Sequence, residues 1–229
     1  MNNGIPETNL PRIVVVGCGF GGLELIKSLR NEAVQIVLLD KNNYHTFQPL
    51  LYQVATAGLE ADSIAYPIRK IFKNQRNLFF RWCEATEINP DKNQIITTVG
   101  VFKYDYLILA TGSETNFFGL KDVEKKAMPM KTITEALNLR SLILQNFEKA
   151  LIVDELEEQQ ALMNFVIVGG GPTGVELAGA LSELKNHVLP ADYPELDFRK
   201  MRVVLLQSGR ENLQALSPVN QTKSPEIFV

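Results

Sequence analysis

Two stretches of the sequence decide the fold, Arg12-Ile-Val-Val-Val-Gly-Cys-Gly-Phe-Gly-Gly22 and Asn164-Phe-Val-Ile-Val-Gly-Gly-Gly-Pro-Thr-Gly174. Each contains a short, apolar, β-branched run, which is typical of a strand buried on both faces of a parallel sheet. Closely spaced glycines follow each run, and a helical pattern of apolar residues follows the glycines. The recurrence of strand, glycine turn and helix predicts an α/β protein built from two copies of one unit.

The glycines stand in the pattern Gly-x-Gly-x-x-Gly, in which each position has a mechanical reason. The first glycine makes a tight turn, the second lets the backbone approach a pyrophosphate, and the third lets the helix pack close to the strand. Free N–H groups and the helix dipole attract the phosphates. The pattern predicts two dinucleotide sites, and glycine turns that serve packing alone are the alternative. The glycines are Gly17, Gly19 and Gly22 in the first copy and Gly169, Gly171 and Gly174 in the second.

The residue that ends the second strand of each copy differs between the two. The first copy has Asp40, whose carboxylate can accept hydrogen bonds from ribose hydroxyls. The second copy has Gln207, which can bond a ribose hydroxyl but lacks the charge that repels a 2′-phosphate. Arg210 lies nearby and could help to accept such a phosphate. The second site therefore favours NADH over NADPH only modestly.

The rest of the chain follows the same α/β pattern. Proline, glycine and asparagine mark the turns, and apolar periodicity marks the helices and strands. The predicted elements are a helix from about Gly22 to Leu29, loops and helices over residues 41–75, strands over 78–112 with a turn at 89–93, helices over 132–160, a helix from Val175 to Leu184, a loop with prolines, and a strand from Arg202 to Leu206.

Composition excludes several classes of protein. The 229 residues are 45% hydrophobic and 21% charged, with a net charge of −3, which are ordinary globular values without a nucleic-acid footprint. The sequence has no apolar run of about 18 residues and no apolar signal-peptide core near Met1. Its two cysteines, Cys18 and Cys83, are too few and too distant for a disulfide scaffold, a metal site or a redox-active pair.

Two dinucleotide sites in one chain favour a particular chemistry, in which one site holds FAD and the other NAD(P)H, so that hydride passes to the flavin. The segment Ala110-Thr111-Gly112 fits this interpretation, because a strand that ends in small residues can bring bare backbone close to a flavin cofactor. A simple strand end with a turn is the alternative for this segment.

The chain resembles the two-domain flavoproteins with two Rossmann-like dinucleotide-binding domains, and within them the type II NADH:quinone oxidoreductases. Tyr44-His-Thr-Phe-Gln-Pro-Leu-Leu-Tyr-Gln-Val-Ala-Thr-Ala-Gly58 resembles the signature loop of that family, and Gly169 to Leu181 resembles its NADH turn. His187-Val-Leu-Pro-Ala-Asp-Tyr-Pro-Glu195 resembles a connecting loop of the same family. The resemblance runs from residue 12 to about 217.

The resemblance implies roles for individual residues. Residues 47–51 would lie near the isoalloxazine and the quinone approach, and the backbone near Ala85 would meet the adenine. The residues implied for FAD are Gly17, Gly19, Phe20, Gly21, Gly22, Asp40, Lys41, His45, Gln48, Ala85, Ala110, Thr111 and Gly112. The residues implied for NADH are Gly169, Gly171, Pro172, Thr173, Gly174 and Gln207.

Glu176 is the candidate catalytic residue, because the resemblance places it beside the nicotinamide, where it would orient NADH. An acid in the first turn of a helix is also favoured by the helix dipole alone, by about 0.3–1 kcal/mol. His45 could contact the cofactor or only cap a turn. We expect Cys18 and Cys83 to be packing residues, and Trp82 to pack rather than to stack on a ligand.

The predicted domains are a flexible N-terminus (1–11), the N-terminal part of an FAD-binding domain (12–130), a helical connection (131–160), a partial NAD(P)H-binding domain (161–215) and a divergent tail (216–229). Because the resemblance covers only the N-terminal half of the family, we expect both domains to be incomplete and the chain alone to hold FAD poorly.

The resemblance also implies an electron acceptor and a location. The expected acceptor is a membrane quinone, and the expected location is cytoplasmic, at the inner surface of the cell membrane, with a homodimer possible. Two other functions stay open: an inactive nucleotide-binding fragment of such an enzyme, and another flavin-dependent NAD(P)H reductase that acts on a protein acceptor.

Overall fold

A computed structural model describes residues 4–207, so the tail 216–229 and Arg210 lie outside the described residues. The strands are β1 (Arg12–Val16), β2 (Gln35–Asp40), β3 (Tyr44–Thr46), β4 (Ala65–Pro67), β5 (Leu78–Trp82), β6 (Ala85–Asn89), β7 (Gln94–Thr97), β8 (Gly100–Lys103), β9 (Tyr106–Leu109), β10 (Asn164–Val168) and β11 (Arg202–Leu206). The helices are α1 (Phe20–Ser28), α2 (Leu51–Ala55), α3 (Ile68–Ile71), α4 (Lys121–Lys126), α5 (Ile133–Ile152), α6 (Leu156–Leu162), α7 (Pro172–Glu183) and α8 (Leu189–Asp192).

The described chain divides into two compact units. The first consists of residues 4–46 and 65–116, and the second of residues 47–64 and 117–207. Segments 47–64 and 117–130, which the predicted boundaries assign to the first domain, thus belong to the second compact unit.

A four-stranded parallel sheet with the order β5-β2-β1-β9 forms the centre of the first unit. Its two inner strands are buried on both faces, which explains their continuous apolar sequence. Val15, Leu38 and Phe80 share one core cluster with residues of α1. Val14 and Val37 face the other way, into a cluster of their own. The predicted α/β class with a parallel sheet is therefore confirmed.

The second face of this sheet is covered by three antiparallel strands in the order β6-β7-β8. Ile95 and Phe102, both fully buried, come from β7 and β8. Ile5 joins the same cluster, and the Gln35 side chain donates a hydrogen bond of 2.8 Å to the carbonyl of Pro6. The N-terminal segment, predicted to be flexible, is thus attached to the core at these points.

In the second unit, strands β10 and β11 pair in parallel and pack against helices. Phe147 of α5 is fully buried, with ring-centroid distances of 5.9 Å to Phe165, 5.6 Å to Tyr193 and 5.8 Å to Phe198. Helix α5 therefore supplies part of this core, although the sequence presents residues 131–160 as a connection. Its start is fixed by a capping box, in which Thr132 and Glu135 exchange side-chain-to-backbone hydrogen bonds.

Two local predictions are wrong. Residues 187–195, predicted as a loop, are largely helical, with a π-helical turn at Leu184–Val188 followed by α8. Pro190 is compatible with a helix there because it stands in the first turn of α8, where its missing N–H costs no hydrogen bond. Segment 41–75 contains not only loops and helices but also the antiparallel pair β3–β4, whose strands are too short to show periodicity.

Replacing Phe147 tests whether α5 belongs to the second core. We expect Phe147→Ala to lower the free energy of unfolding by about 3–5 kcal/mol, because it removes buried area and leaves a cavity. Urea unfolding of the full chain, followed by circular dichroism, measures the change. Leu156→Ala, at a side chain that is 61% exposed, is the control and should cost less than about 1 kcal/mol. Equal small losses in both variants would contradict this role for Phe147.

Candidate functional site

The first glycine turn joins β1 to α1 and is held by main-chain contacts on both sides. The N–H of Gly17 donates to the carbonyl of Leu39 (2.8 Å), and the N–H of Ala110 donates to the carbonyl of Val16 (2.8 Å). Gly17 has φ +100°, and a Cβ there would overlap the Ala110 carbonyl. A Cβ on Gly22 would overlap the carbonyl of Gly17. Both glycines are therefore required by the fold itself.

Asp40 ties the end of β2 to this turn. One carboxylate oxygen accepts a hydrogen bond from the Cys18 N–H (2.6 Å), and the other accepts one from the Asn42 N–H (2.6 Å). Burial raises the pKa of Asp40, and the two N–H donors act in the opposite direction. A carboxylate offers about four lone-pair positions, so these two bonds leave acceptor capacity for a ligand hydroxyl.

His45 of β3 holds the other side of the same peptide segment. Its Nδ1 lies 2.7 Å from the carbonyl oxygen of Cys18, and its ring meets Phe20 edge to face, with centroids 5.3 Å apart. A carbonyl can only accept, so Nδ1 carries the proton of this bond. Residue Cys18 therefore has its N–H fixed by Asp40 and its carbonyl fixed by His45.

The second turn repeats the geometry of the first. The N–H of Gly169 donates to the carbonyl of Leu206 (2.8 Å), its φ is +117°, and a Cβ on Gly174 would overlap the Gly169 carbonyl. The side-chain oxygen of Gln207 accepts a hydrogen bond from the Gly170 N–H (2.8 Å). Gln207 thus takes the position in the second copy that Asp40 takes in the first. The internal repeat extends to individual hydrogen bonds.

The middle glycine of each motif is not explained by the fold. Gly19 has φ −68° and Gly171 has φ −76°, which any residue adopts. Apart from its immediate neighbours along the chain, a Cβ at either position would meet no atom within 4 Å. Glycine at these positions instead leaves the backbone bare toward the outside of the turn, where the helix N–H groups point. The residues present therefore fit a ligand whose phosphates approach the turn closely.

Glu176 lies in the second turn of α7 rather than the first, because the helix begins at Pro172. The helix-dipole explanation for an acid there is correspondingly weaker, since the effect falls off within the first turn. The side chain is exposed, yet partial burial raises its pKa. Helix α7 packs against α2, so the part of the signature loop that forms α2 and the helix that carries Glu176 are neighbours in the second unit.

The remaining predicted residues fall at several places around these turns. Phe20 and Gly21 are exposed in the first turn of α1, and Pro172 and Thr173 are exposed in the first turn of α7. Lys41 follows β2, Thr111 and Gly112 follow β9, and Ala85 begins β6. Gln48 is exposed and belongs to the second compact unit. The ligand roles of these residues stay predictions.

Trp82 was expected to pack against other residues, but in the structure it is largely exposed. It ends β5, 68% of its surface is exposed, and its indole N–H donates to the Lys41 carbonyl (2.8 Å). Its register partner on the neighbouring strand is Asp40. The sequence did not reveal this position of Trp82. The alternation of apolar and polar residues along a strand does not show which aromatic residue is exposed at the carboxyl edge of the sheet.

Both cysteines are free and buried, as predicted for packing residues. Burial, and next the charge of Asp40, raise the pKa of the Cys18 thiol to about 12, and burial also raises the pKa of Cys83. Such thiols are poor nucleophiles because the thiolate is scarce at neutral pH. Within residues 4–207, no group of histidine, cysteine and acidic side chains is placed to hold a metal ion. None of the helices in that range combines the length and hydrophobicity needed to cross a membrane.

Comparisons with known proteins identify a family for this chain. The family model for pyridine nucleotide-disulphide oxidoreductases matches residues 11–215, and the chain belongs to this family. It is 38% identical, over 202 residues, to the type II NADH:quinone oxidoreductase Ndh of Mycobacterium tuberculosis. It is 34% identical, over 222 residues, to the mitochondrial external alternative NAD(P)H-ubiquinone oxidoreductase B3 of Arabidopsis thaliana.

The match covers most of this chain but less than half of those relatives. The shares are 86% of this chain and 44% of the M. tuberculosis protein, and 91% and 38% for the A. thaliana protein. Among solved structures, NDH2 of Plasmodium falciparum in complex with NADH superposes with a TM-score of 0.86 at 26% identity. That superposition covers 93% of this chain and 45% of the P. falciparum chain. The predicted Rossmann-like flavoprotein fold and the resemblance to type II enzymes are confirmed.

The glycines of the first turn provide a paired stability test. We expect Gly22→Ala to lower the free energy of unfolding by about 1–3 kcal/mol or more, because the new Cβ displaces the Gly17 carbonyl. Gly19→Ala should stay within about 1 kcal/mol of the parent, since its conformation is ordinary and its surroundings are open. Thermal and urea unfolding of both variants measure the difference. A Gly19→Ala variant as unstable as Gly22→Ala would contradict the structural distinction.

Proposed function

We propose that the chain carries the FAD and NADH sites of a type II NADH:quinone oxidoreductase. The observation that supports this most strongly is the pair of geometrically equivalent glycine turns, in a chain 38% identical to an enzyme of that name. Bound FAD would accept hydride from the nicotinamide and pass electrons on to the quinone. The protein's own part is to bind both dinucleotides, align them and exclude water.

The first turn is the proposed FAD site. Its bare backbone at Gly19 would receive the pyrophosphate, and Asp40 would accept a hydrogen bond from the adenosine ribose. The Cys18 peptide segment is fixed at both ends, by Asp40 and His45, so little motion needs to be lost on binding. Phe20, Gly21, Lys41 and the Ala110–Gly112 segment would complete the contacts.

The second turn is the proposed NADH site. Gly171 leaves its backbone open to the pyrophosphate, and Gln207 stands where an acid would contact the ribose. A neutral amide there gives only a modest preference for NADH over NADPH. Glu176, on the following helix, would accept a hydrogen bond from the nicotinamide carboxamide and so orient the ring.

The acceptor and the location complete the proposal. Relatives named as quinone reductases support a quinone as the acceptor. Residues 47–51 would lie on its path, because α2 packs beside the helix that carries Glu176. Docking on the inner membrane surface and a homodimer are further parts of this proposal, and they rest on the resemblance alone.

Two single substitutions separate the two sites. We expect Gly19→Ala to weaken FAD binding and Gly171→Ala to weaken NADH binding, each by about tenfold or more, because a Cβ blocks the approach of the phosphates. Flavin fluorescence polarisation measures the first affinity and calorimetry with NADH the second. Each variant is the control for the other. Loss of both ligands in both variants would indicate unfolding, which the unfolding curves would reveal, and loss of neither would contradict the site assignment.

Turnover distinguishes the acceptors. NADH oxidation by the FAD-loaded chain with menadione supports the quinone reductase. Oxidation that needs a small redox protein supports a reductase with a protein acceptor, and ligand binding without oxidation supports an inactive nucleotide-binding chain.

Glu176 has a test that depends on pH. Because partial burial raises its pKa, its carboxylate becomes protonated at a higher pH than an ordinary glutamate as the pH falls. We expect the parent to lose NADH affinity as the pH falls through that raised pKa, and Glu176→Gln to be weaker at neutral pH without this dependence. Glu183→Gln, at the exposed end of the same helix, should behave like the parent. An unchanged pH profile in Glu176→Gln would remove Glu176 from the site.

A further inference from the structure

Trp82 is the one tryptophan of the sequence, and its position is unusual for a residue of this size. The residue is 68% exposed, whereas the next residue, Cys83, is buried. Burial in a core therefore does not explain the indole. Its N–H donates to the carbonyl of Lys41, so the exposed ring is held in one place at the carboxyl edge of the sheet.

The face on which Trp82 stands follows from strand alternation. Phe80, two residues earlier in β5, packs in the cluster that contains residues of α1, and Phe79 packs in the cluster on the opposite face. Side chains two residues apart in a strand share a face, so Trp82 lies on the α1 side. Asp40, its register partner, reaches the first glycine turn on that same side.

The order of the strands then matches the order of groups in a bound nucleotide. The sheet runs β1, β2, β5, and the carboxyl ends of these strands carry the glycine turn, Asp40 and Trp82 in that order. The pyrophosphate belongs at the turn and the ribose at the acid. The next group along an adenine dinucleotide is the adenine, and the next strand end carries the indole.

We propose that Trp82 binds the adenine ring of the dinucleotide held at the first glycine turn, by stacking its indole on the base. This inference rests on the proposed function of that turn. A ring already fixed by the Lys41 carbonyl loses little freedom on contact, and aromatic faces accept any base without needing a hydrogen-bond pattern. Trp82 would thus favour a dinucleotide, which has a base at this end, over a flavin mononucleotide, which ends at its phosphate.

The single tryptophan makes the proposal measurable without relying on activity. ADP contains the adenine, ribose and diphosphate, and it neither absorbs in the range of indole emission nor carries a flavin. We expect ADP titrated into the full chain to quench the Trp82 emission in a saturable way. In a separate measurement by flavin polarisation, ADP should displace FAD.

A relocated tryptophan is the control. Tyr106 is 61% exposed at the amino end of β9, beside Ile13, and so lies at the opposite edge of the same sheet. In the double variant Trp82→Phe with Tyr106→Trp, ADP should bind without changing the emission. Quenching of equal size at position 106 would mean collision or a general change in the protein, and it would overturn the proposal.

Affinity provides an independent measurement. We expect Trp82→Ala to weaken ADP binding about tenfold in calorimetry, within the range that base stacking on aromatic residues supports, and Trp82→Phe to retain most of the affinity. NADH binding at the second turn should not change in either variant. A different result would overturn the stacking while leaving the FAD site in place. In that case ADP would compete with FAD without changing the Trp82 emission, and the Trp82→Ala variant would bind ADP as tightly as the parent. Failure of both ligands to bind, FAD by flavin polarisation and ADP by calorimetry, would remove the proposed site and the stacking together.

Discussion

In each motif the third glycine packs directly against the first. The geometry of both turns and of the helices that follow them depends on this contact. Gly22 and Gly174 lie directly against the carbonyls of Gly17 and Gly169, so no side chain fits between helix and turn. This contact sets the helix axis over the strand end and points the first N–H groups outward. The acceptor that ends the second strand, Asp40 or Gln207, can then reach the second residue of the turn. The position of the helix and the outward-facing backbone of the turn follow from this one approach.

The two turns share one backbone geometry but use chemically different hydrogen-bond acceptors at the end of the second strand. Asp40 brings a partly buried charge with bonds of 2.6 Å, and His45 fixes the carbonyl on the other side of Cys18. Gln207 brings a neutral amide at 2.8 Å. A turn fixed by charge-assisted bonds is better organised in advance than one fixed by a neutral bond. This difference supports the proposal that the first turn holds a resident cofactor and the second an exchanging substrate.

Much of the fold could be predicted because it rests on local patterns. The buried strands β1, β2, β10 and β11 show continuous apolar runs, and Gly17 and Gly169 mark turns that need positive φ. Other features depend on neighbours that are distant in sequence. The second-turn position of Glu176 depends on where α7 begins, and the role of Phe147 in the core depends on aromatic partners from three other segments. Local periodicity carries neither kind of information.

The sequence by itself determined the α/β class, the two glycine turns and the absence of a close cysteine pair, because each follows from residue type and spacing along the chain. Only the tertiary structure decided that Asp40 and Gln207 occupy equivalent positions by hydrogen bonding, that segment 47–64 belongs to the second compact unit, and that the exposed indole of Trp82 stands beside Asp40. The physical reason is strand pairing: register brings residues far apart in sequence to one edge of a sheet, and no local pattern encodes which strands will be neighbours.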